Sequence, residues 1–457
     1  MNNVIEILEK QKKFFLNCET LDYDFRIQQL NKLEHSIKAN IDTLLKAFQD
    51  DFNKQEFDVF TTEVGMVLEE IKYMRKHLAK FMRGKKAKGG IANFPSKARL
   101  IPQPLGQVLI ISPWNYPFQL AIIPLVDALA CGNTVILKPS ANSPCVSKCI
   151  QKILSVFDEQ YVAVALGDRE QNQALLEQKY NLIFFTGSKT VGRIVEQKAG
   201  VHLCPVVLEL GGKSPCIIDE DCDLKVAVRR VVWGKFLNAG QTCVAPDYML
   251  VHSSIYEEFL ELAKQQIKDF YYPDGKITKD FPFIITDKQT ERIKNLIDKT
   301  KVVCGGKVKK RLMEPTIIRD VSIKDAVMQE EIFGPVMPVI KYDDLDDVFE
   351  YINSHDKPLA LYYFGRNKQS IHRVIRETYS GGVCINDTVM HVGTNTIPFG
   401  GVGESGMGSY HGQQSFYTFS HIKPILFKRP HCEVKMKYPP ITKFKKSLSY
   451  KILGIKH

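Results

Sequence analysis

The chain has 457 residues, 44% hydrophobic and 25% charged, with no Pro, Gly or Ser excess. This is a globular composition long enough for two or three domains; no apolar run reaches the roughly eighteen residues of a membrane span, and the polar N-terminus MNNVIEILEKQKKFF lacks the apolar stretch of a secretory signal. The net charge of +11 is uneven: residues 421–457 hold ten Lys/Arg against one acid, Glu433, so a nucleic-acid-binding body is not expected and the basic tail reads as an addition.

Residues 1–82 read as packed helices, with apolar side chains recurring at three and four, as in Val64, Val67, Ile71 and Met74. Residues 83–104, RGKKAKGGIANFPSKARLIPQP, are basic and carry Gly89-Gly90 and Pro95, which predicts a loop or an exposed hairpin. Short apolar runs then alternate with helical stretches. QVLIIS (107–112), TVILKP (134–139), YVAVALG (161–167) and NLIFFTG (181–187) predict buried strands; 118–131 and 144–157 predict helices. Continuous apolar strands separated by helices imply a parallel, doubly wound α/β sheet. Ligands bind such sheets at the carboxyl ends of the strands. Here those ends are Pro113-Trp114-Asn115, Lys138-Pro139-Ser140 and Thr186-Gly187-Ser188. A second α/β segment starts near 210, with strands expected near 214–218, 247–252, 334–341 and 381–385 and helices near 222–237, 254–270 and 288–299.

Four stretches carry candidate chemistry. PWNYP (113–117) fixes Asn115 between two prolines, giving either a turn residue or a rigid N–H₂ donor for an oxyanion hole. FFTGSKTVGRIV (184–195) is strand, glycine turn and helix. It lacks the Lys-Ser/Thr of a P-loop, and a phosphate site and a tight turn are equally open. LELGGKSP (208–215) places Glu209 among apolar residues, where a carboxylate is either paired or, with a raised pKa, a general base. FLNAGQTCVAP (236–246) sets Cys243 in a small polar turn, as a packed thiol or a nucleophile. The eleven cysteines are odd in number, without a C-x-x-C pair or zinc spacing, so free thiols, a reducing cytoplasmic setting and no metal are expected.

PWNYP, LKPS, FFTGS, LELGGKSP, GQTCVAP, EEIFGPV and PFGGVGESGMG occur in the order and approximate spacing of the aldehyde dehydrogenase superfamily, from about residue 25 to about 430. GSYHGQQSFYTFSH (408–421) and YPP (438–440) most resemble its class 3 and fatty-aldehyde branch. The resemblance implies a Rossmann-like cofactor domain (1–82 and 103–209), an α/β catalytic domain (210–415), a β oligomerisation arm (83–102 and 416–432) and a basic tail (433–457). It implies NAD or NADP as cofactor, an aldehyde as substrate, medium- or long-chain aliphatic or aromatic, and a homodimer. It makes Cys243 the nucleophile, Glu209 the base, and Asn115 with the Cys243 N–H the oxyanion hole. Trp114, Lys138, Ser140, Gly187, Ser188, Gly192, Glu331 and Phe333 become cofactor contacts, Gly187, Ser188 and Gly192 as a pyrophosphate loop. Tyr116 and Trp233 become pocket residues. The acid that relatives favouring NAD often carry three residues after the Lys of LKPS is here Ala141, which leaves room for a 2′-phosphate beside Lys138 and predicts dual use of the cofactors or a lean to NADP. The tail ITKFKKSLSYKILGIKH mixes Lys with Phe, Leu and Ile. It suits weak contact with an anionic membrane surface, or a solvated or subunit-packed tail.

Overall fold

The computed structural model describes residues 2–90 and 93–455. Residues 91 and 92 of the expected arm, and Lys456 of the basic tail, lie outside them. The chain forms two compact units, residues 1–78 with 104–421 and residues 79–103 with 422–457.

In the smaller unit, β1 (Lys85–Ala87) pairs antiparallel with β2 (Ser96–Pro104), Lys85 opposite Leu100. The exposed-hairpin alternative is therefore the one realised. Another strand, Ser420–Lys428, completes a sheet with β2 at its centre. A helix follows at Lys443–Leu453, started by Thr442, whose hydroxyl accepts from Lys445 N.

Among the described residues, the first sheet of the larger unit has six strands. They are β3 (Gln107–Ile111), β4 (Thr134–Lys138), β5 (Val162–Val164), β6 (Leu182–Gly187), β7 (Val206–Leu210) and a short Gly406–Met407 strand. The order is 7-6-3-4-5 in parallel, with Gly406–Met407 antiparallel on the outer side of β7. The winding reverses between β3 and β6, so the crevice opens at their carboxyl ends. The strands are buried because they are apolar on both faces. The helix Gln119–Cys131 is likewise buried all round, as its nearly continuous apolar sequence requires.

The second sheet contains β8 (Pro215–Ile218), β9 (Tyr248–His252), β10 (Val302–Cys304), a two-stranded excursion β11 (Val308–Lys309) and β12 (Leu312–Met313) that pairs separately, then β13 (Thr316–Ile318), β14 (Val336–Tyr342), β15 (Ala360–Phe364) and β16 (Gly382–Ile385). Its order is 10-13-14-9-8-15-16, parallel except for β10 on β13. The link 211–214 runs from the carboxyl end of β7 into the start of β8. Carboxyl ends of one sheet thus meet amino ends of the other, and the candidate residues collect along that seam.

Several expectations need correction. β13 and β15 were not anticipated; β15, reading ALYYF, fills the place between β8 and β16. The helix expected at 288–299 runs Asp287–Asn295, and the one expected at 144–157 stops at Leu154. Residues 416–421 pack in the larger unit: Phe416 and Phe419 are buried, and Phe419 stacks on Phe184 at 5.8 Å. Their apolar side chains fill the core under β6, so they are not arm residues.

Candidate active site

Cys243 follows an unusual turn. Asn238, Ala239 and Gly240 have φ of 53°, 54° and 72°, a left-handed run that costs Asn and Ala free energy. Buried contacts hold it. Asn238 Nδ2 donates to Asn115 O (2.9 Å) and Gln241 O (3.3 Å). Gln241, fully buried, donates to Asn238 O and Phe283 O (both 3.1 Å) and accepts from Ile285 N (2.9 Å). The turn leaves the Cys243 side chain partly exposed. The N–H groups of Cys243 and Val244 favour its thiolate, but burial, then Glu331 and Glu209, outweigh them and push the thiol up to about 12.

Glu209 is the penultimate residue of β7, opposite Thr186 on one side and Gly406 on the other. Both carboxyl oxygens are buried and neither makes a hydrogen bond among the described residues. Burial holds its pKa well above the carboxylate range. Asn115 ends the segment after β3 and is 4% exposed. Its amide donates to Gln241 O at 3.1 Å, so it is held two residues from Cys243 and keeps a second hydrogen for another acceptor. Tyr116 is buried, its hydroxyl 2.7 Å from Thr242 Oγ1, with the Lys54 ammonium over its ring at 4.5 Å. Tyr116 therefore steadies the turn that carries Cys243.

Glu331 and Phe333 precede β14 on the same seam. Glu331 Oε1 accepts from Gly212 N at 3.1 Å. Burial and Asp247 raise its pKa to about 8 against the pull of Gly212 and Lys213. Phe333, with φ of 48°, meets Trp114 edge-on at 5.4 Å. The seam thus brings together Cys243, Glu209, Asn115, Tyr116, Glu331, Phe333 and Trp114.

The other expected cofactor residues line the crevice of the first sheet. Lys138 is 3% exposed, and its ammonium makes no direct hydrogen bond among the described residues. Burial lowers its pKa, opposed by Asp168. Ser140 Oγ accepts from Asn142 N at 3.2 Å, so it shapes the turn. Ser188 caps the helix Lys189–Val201, and Gly187 sits over Phe185, whose ring a Cβ would meet at 2.6 Å. Gly192 donates its N–H to Ser188 O (2.9 Å), and a Cβ there would strike Leu210 at 2.7 Å. It therefore allows the helix Lys189–Val201 to pack closely on β7. These residues fit a dinucleotide. A helix N-terminus suits a pyrophosphate, Lys138 is a buried cation without a direct partner, and Gly211 keeps space beside Glu331, whose Oε1 a Cβ would approach to 2.7 Å. Trp233 lines a cavity of about 270 Å³ with Phe236, Asn238, Phe270, Tyr271 and Phe281, and Asn238 links this lining to Asn115.

Sequence reasoning missed Asn238, Gln241, Lys213 and Asp247. Asp247 was readable as an acid beside the apolar run of β9, but its partners are distant in the chain. No group of three or more His, Cys, Asp or Glu side chains among the described residues is arranged to hold a metal.

A doubly wound crevice that fits a dinucleotide, joined to a thiol, a buried carboxyl and a fixed amide, is the arrangement of a nicotinamide-dependent oxidoreductase. The aldehyde dehydrogenase family model matches residues 2–425. The chain is 43% identical over 438 residues to aldehyde dehydrogenase family 3 member A2 of Pongo abelii, covering 95% of this chain and 90% of the relative. It is 43% identical over 445 residues to the mouse aldehyde dehydrogenase, dimeric NADP-preferring (96% and 98%). It is 42% identical to 4,4'-diaponeurosporen-aldehyde dehydrogenase of Staphylococcus aureus (96% and 97%). A substrate-bound structure of Staphylococcus aureus AldH superposes with a TM-score of 0.96 at 40% identity, covering all of both chains. The chain belongs to the aldehyde dehydrogenase family, enzymes that oxidise aldehydes with NAD or NADP.

Proposed function

We propose that this protein oxidises an aldehyde to its carboxylic acid through a covalent thioester on Cys243, with Glu209 as general base. The observation that carries the reading is the buried carboxyl of Glu209, without a hydrogen-bond partner and electrostatically coupled to the Cys243 thiol. The Cys243 thiolate attacks the aldehyde carbon, forming the C–S bond while the carbonyl π electrons move to oxygen. The free amide hydrogen of Asn115 and the Cys243 N–H hold that oxyanion. When bound, NAD(P)⁺ would supply the acceptor for the hydride of this carbon and a positive charge favouring the Cys243 thiolate. Glu209 then removes a proton from water as the oxygen adds to the thioester; the thiolate departs and the acid is released.

Lys138, Ser188 and the N-terminus of Lys189–Val201 are the residues that would hold the dinucleotide, with Glu331 and Phe333 at its reacting end. With Ala141 in place of an acid, NADP is used at least as well as NAD. Comparing kcat/KM for the two tests this, and a strong preference for NAD overturns it. The aromatic lining of the Trp233 cavity supports medium- or long-chain or aromatic aldehydes. The relative named as dimeric supports a homodimer, and the free thiols support a cytoplasmic setting. No helix among the described residues is long and apolar enough to cross a membrane. The tail helix exposes Phe444, Ile452 and Leu453 among lysines, which supports weak membrane-surface contact. If a 1–432 truncation sediments with anionic liposomes as well as the full chain does, that part fails. The central experiment is an aldehyde panel followed by NAD(P)H absorbance, with Cys243→Ala expected to remove all turnover.

A further inference from the structure

Lys213 stands four residues after Glu209, and Asp247 four residues after Cys243. The two form an ion pair, with side chains 20% and 4% exposed. Each also grips the segment that carries Glu331 and Phe333. Lys213 Nζ donates to Val327 O and Glu330 O, both at 2.9 Å. Asp247 Oδ1 accepts from Ile332 N at 2.9 Å. The neighbour of Lys213, Gly212, donates to Glu331 Oε1, and Asp247 N donates to Ser214 O at 2.8 Å. From the opposite side Arg292 donates to Glu331 O (3.2 Å) and Ile332 O (2.7 Å). Phe333, next to the gripped Ile332 N–H, is held in a left-handed conformation that a non-glycine residue keeps only when its surroundings impose it.

We propose that the Lys213–Asp247 ion pair is a positioning unit for the cofactor end of the site. It sews the segment after the base, the segment after the nucleophile and the segment 330–333 into one piece, so that Glu331 and Phe333 keep a fixed place relative to Cys243. Its work is on cofactor engagement and on the hydride step, while the backbone that carries Cys243 is held separately by the 238–242 turn. The proposal rests on the aldehyde dehydrogenase chemistry above.

The test compares Asp247→Asn and Lys213→Met with the parent protein in three measurements. The first is NADPH binding by titration calorimetry, beside steady-state KM and kcat. The second is cofactor-free acylation of Cys243 by p-nitrophenyl acetate. The third is Trp114 emission in a Trp233→Phe background, reporting the Phe333 ring against it. Both variants are expected to weaken NADPH binding by about tenfold or more and to lower kcat. Trp114 emission is expected to shift before any ligand is added, with acylation within about twofold of the parent. Unchanged NADPH affinity, KM and kcat would overturn the proposal. So would acylation falling in step with turnover, and so would failure of both variants to fold, since the pair would then be a support of the whole fold. If only one folds, its result decides. A parent protein that neither binds NADPH nor turns over any aldehyde would instead remove the chemistry on which the proposal rests.

Discussion

Cys243 and Glu209 divide the proposed reaction, and single substitutions separate the halves. Glu209→Gln keeps the shape of a buried side chain that makes no hydrogen bond, so folding is little affected. Thioester hydrolysis is expected to slow by roughly 10²–10⁴-fold, while a first turnover of NAD(P)H remains as a burst in stopped flow; loss of the burst as well would contradict the assigned role. Gln241 is different in kind. Its amide ties Asn238 O, Phe283 O and Ile285 N at once, so Gln241→Ala strands buried polar groups that cost about 1–3 kcal/mol each. A lower Tm and a displaced Cys243 should appear together. The residues proposed to react were legible because they sit in short motifs in a fixed order. Gln241 was not, because two of its three partners, Phe283 and Ile285, lie more than forty residues on.

At the level of elements, the left-handed turn before Cys243 is the least forgiving piece. Gly240 combines a φ of 72° with a hydrogen that faces the Gly334 carbonyl, and backbone cannot step aside as a side chain can. Gly240→Ala is expected to destabilise by about 1–3 kcal/mol and to cut turnover much further than Gly200→Ala, whose added Cβ meets nothing within 4 Å; equal effects from the two would deny the turn its role. The buried strands β3, β4 and β6 could be read from the sequence because their apolar runs are continuous and glycine or proline ends them. β13 could not, since three residues carry no period. β15 has the aromatic and apolar run of a strand, but only the pairing with Cys216 and Cys384 on its two neighbours shows that it is central.

Over the whole molecule, buried acids set the response to pH. Glu70 and Asp127 share a buried site that joins the helices Gly65–Met82, Gln119–Cys131 and Gly412–Thr418. Gly412 N donates to Glu70 at 3.2 Å, and Ser415 donates to Asp127. Burial raises Glu70 to about 7 and Asp127 well above its usual range. The folded state therefore keeps protons that the unfolded chain has already released. Stability from Glu70 is full below the ordinary glutamate range and declines as pH rises towards about 7. Glu70→Gln, which carries no titrating proton, should gain Tm relative to the parent as pH climbs through that window. A difference in Tm independent of pH would refute the raised pKa of Glu70. The pair was invisible in the sequence because Glu70 and Asp127 lie on helices far apart in the chain.

The raised thiol of Cys243 has a practical consequence for handling the protein. Alkylation and peroxide oxidation both proceed through the thiolate, a form that burial disfavours at Cys243, so its reaction is slower than that of an exposed thiol. Cys18 and Cys432 are the exposed thiols. A maleimide or iodoacetamide should therefore label those two first and leave turnover intact, so that dyes or surface tethers can be attached without sacrificing the enzyme.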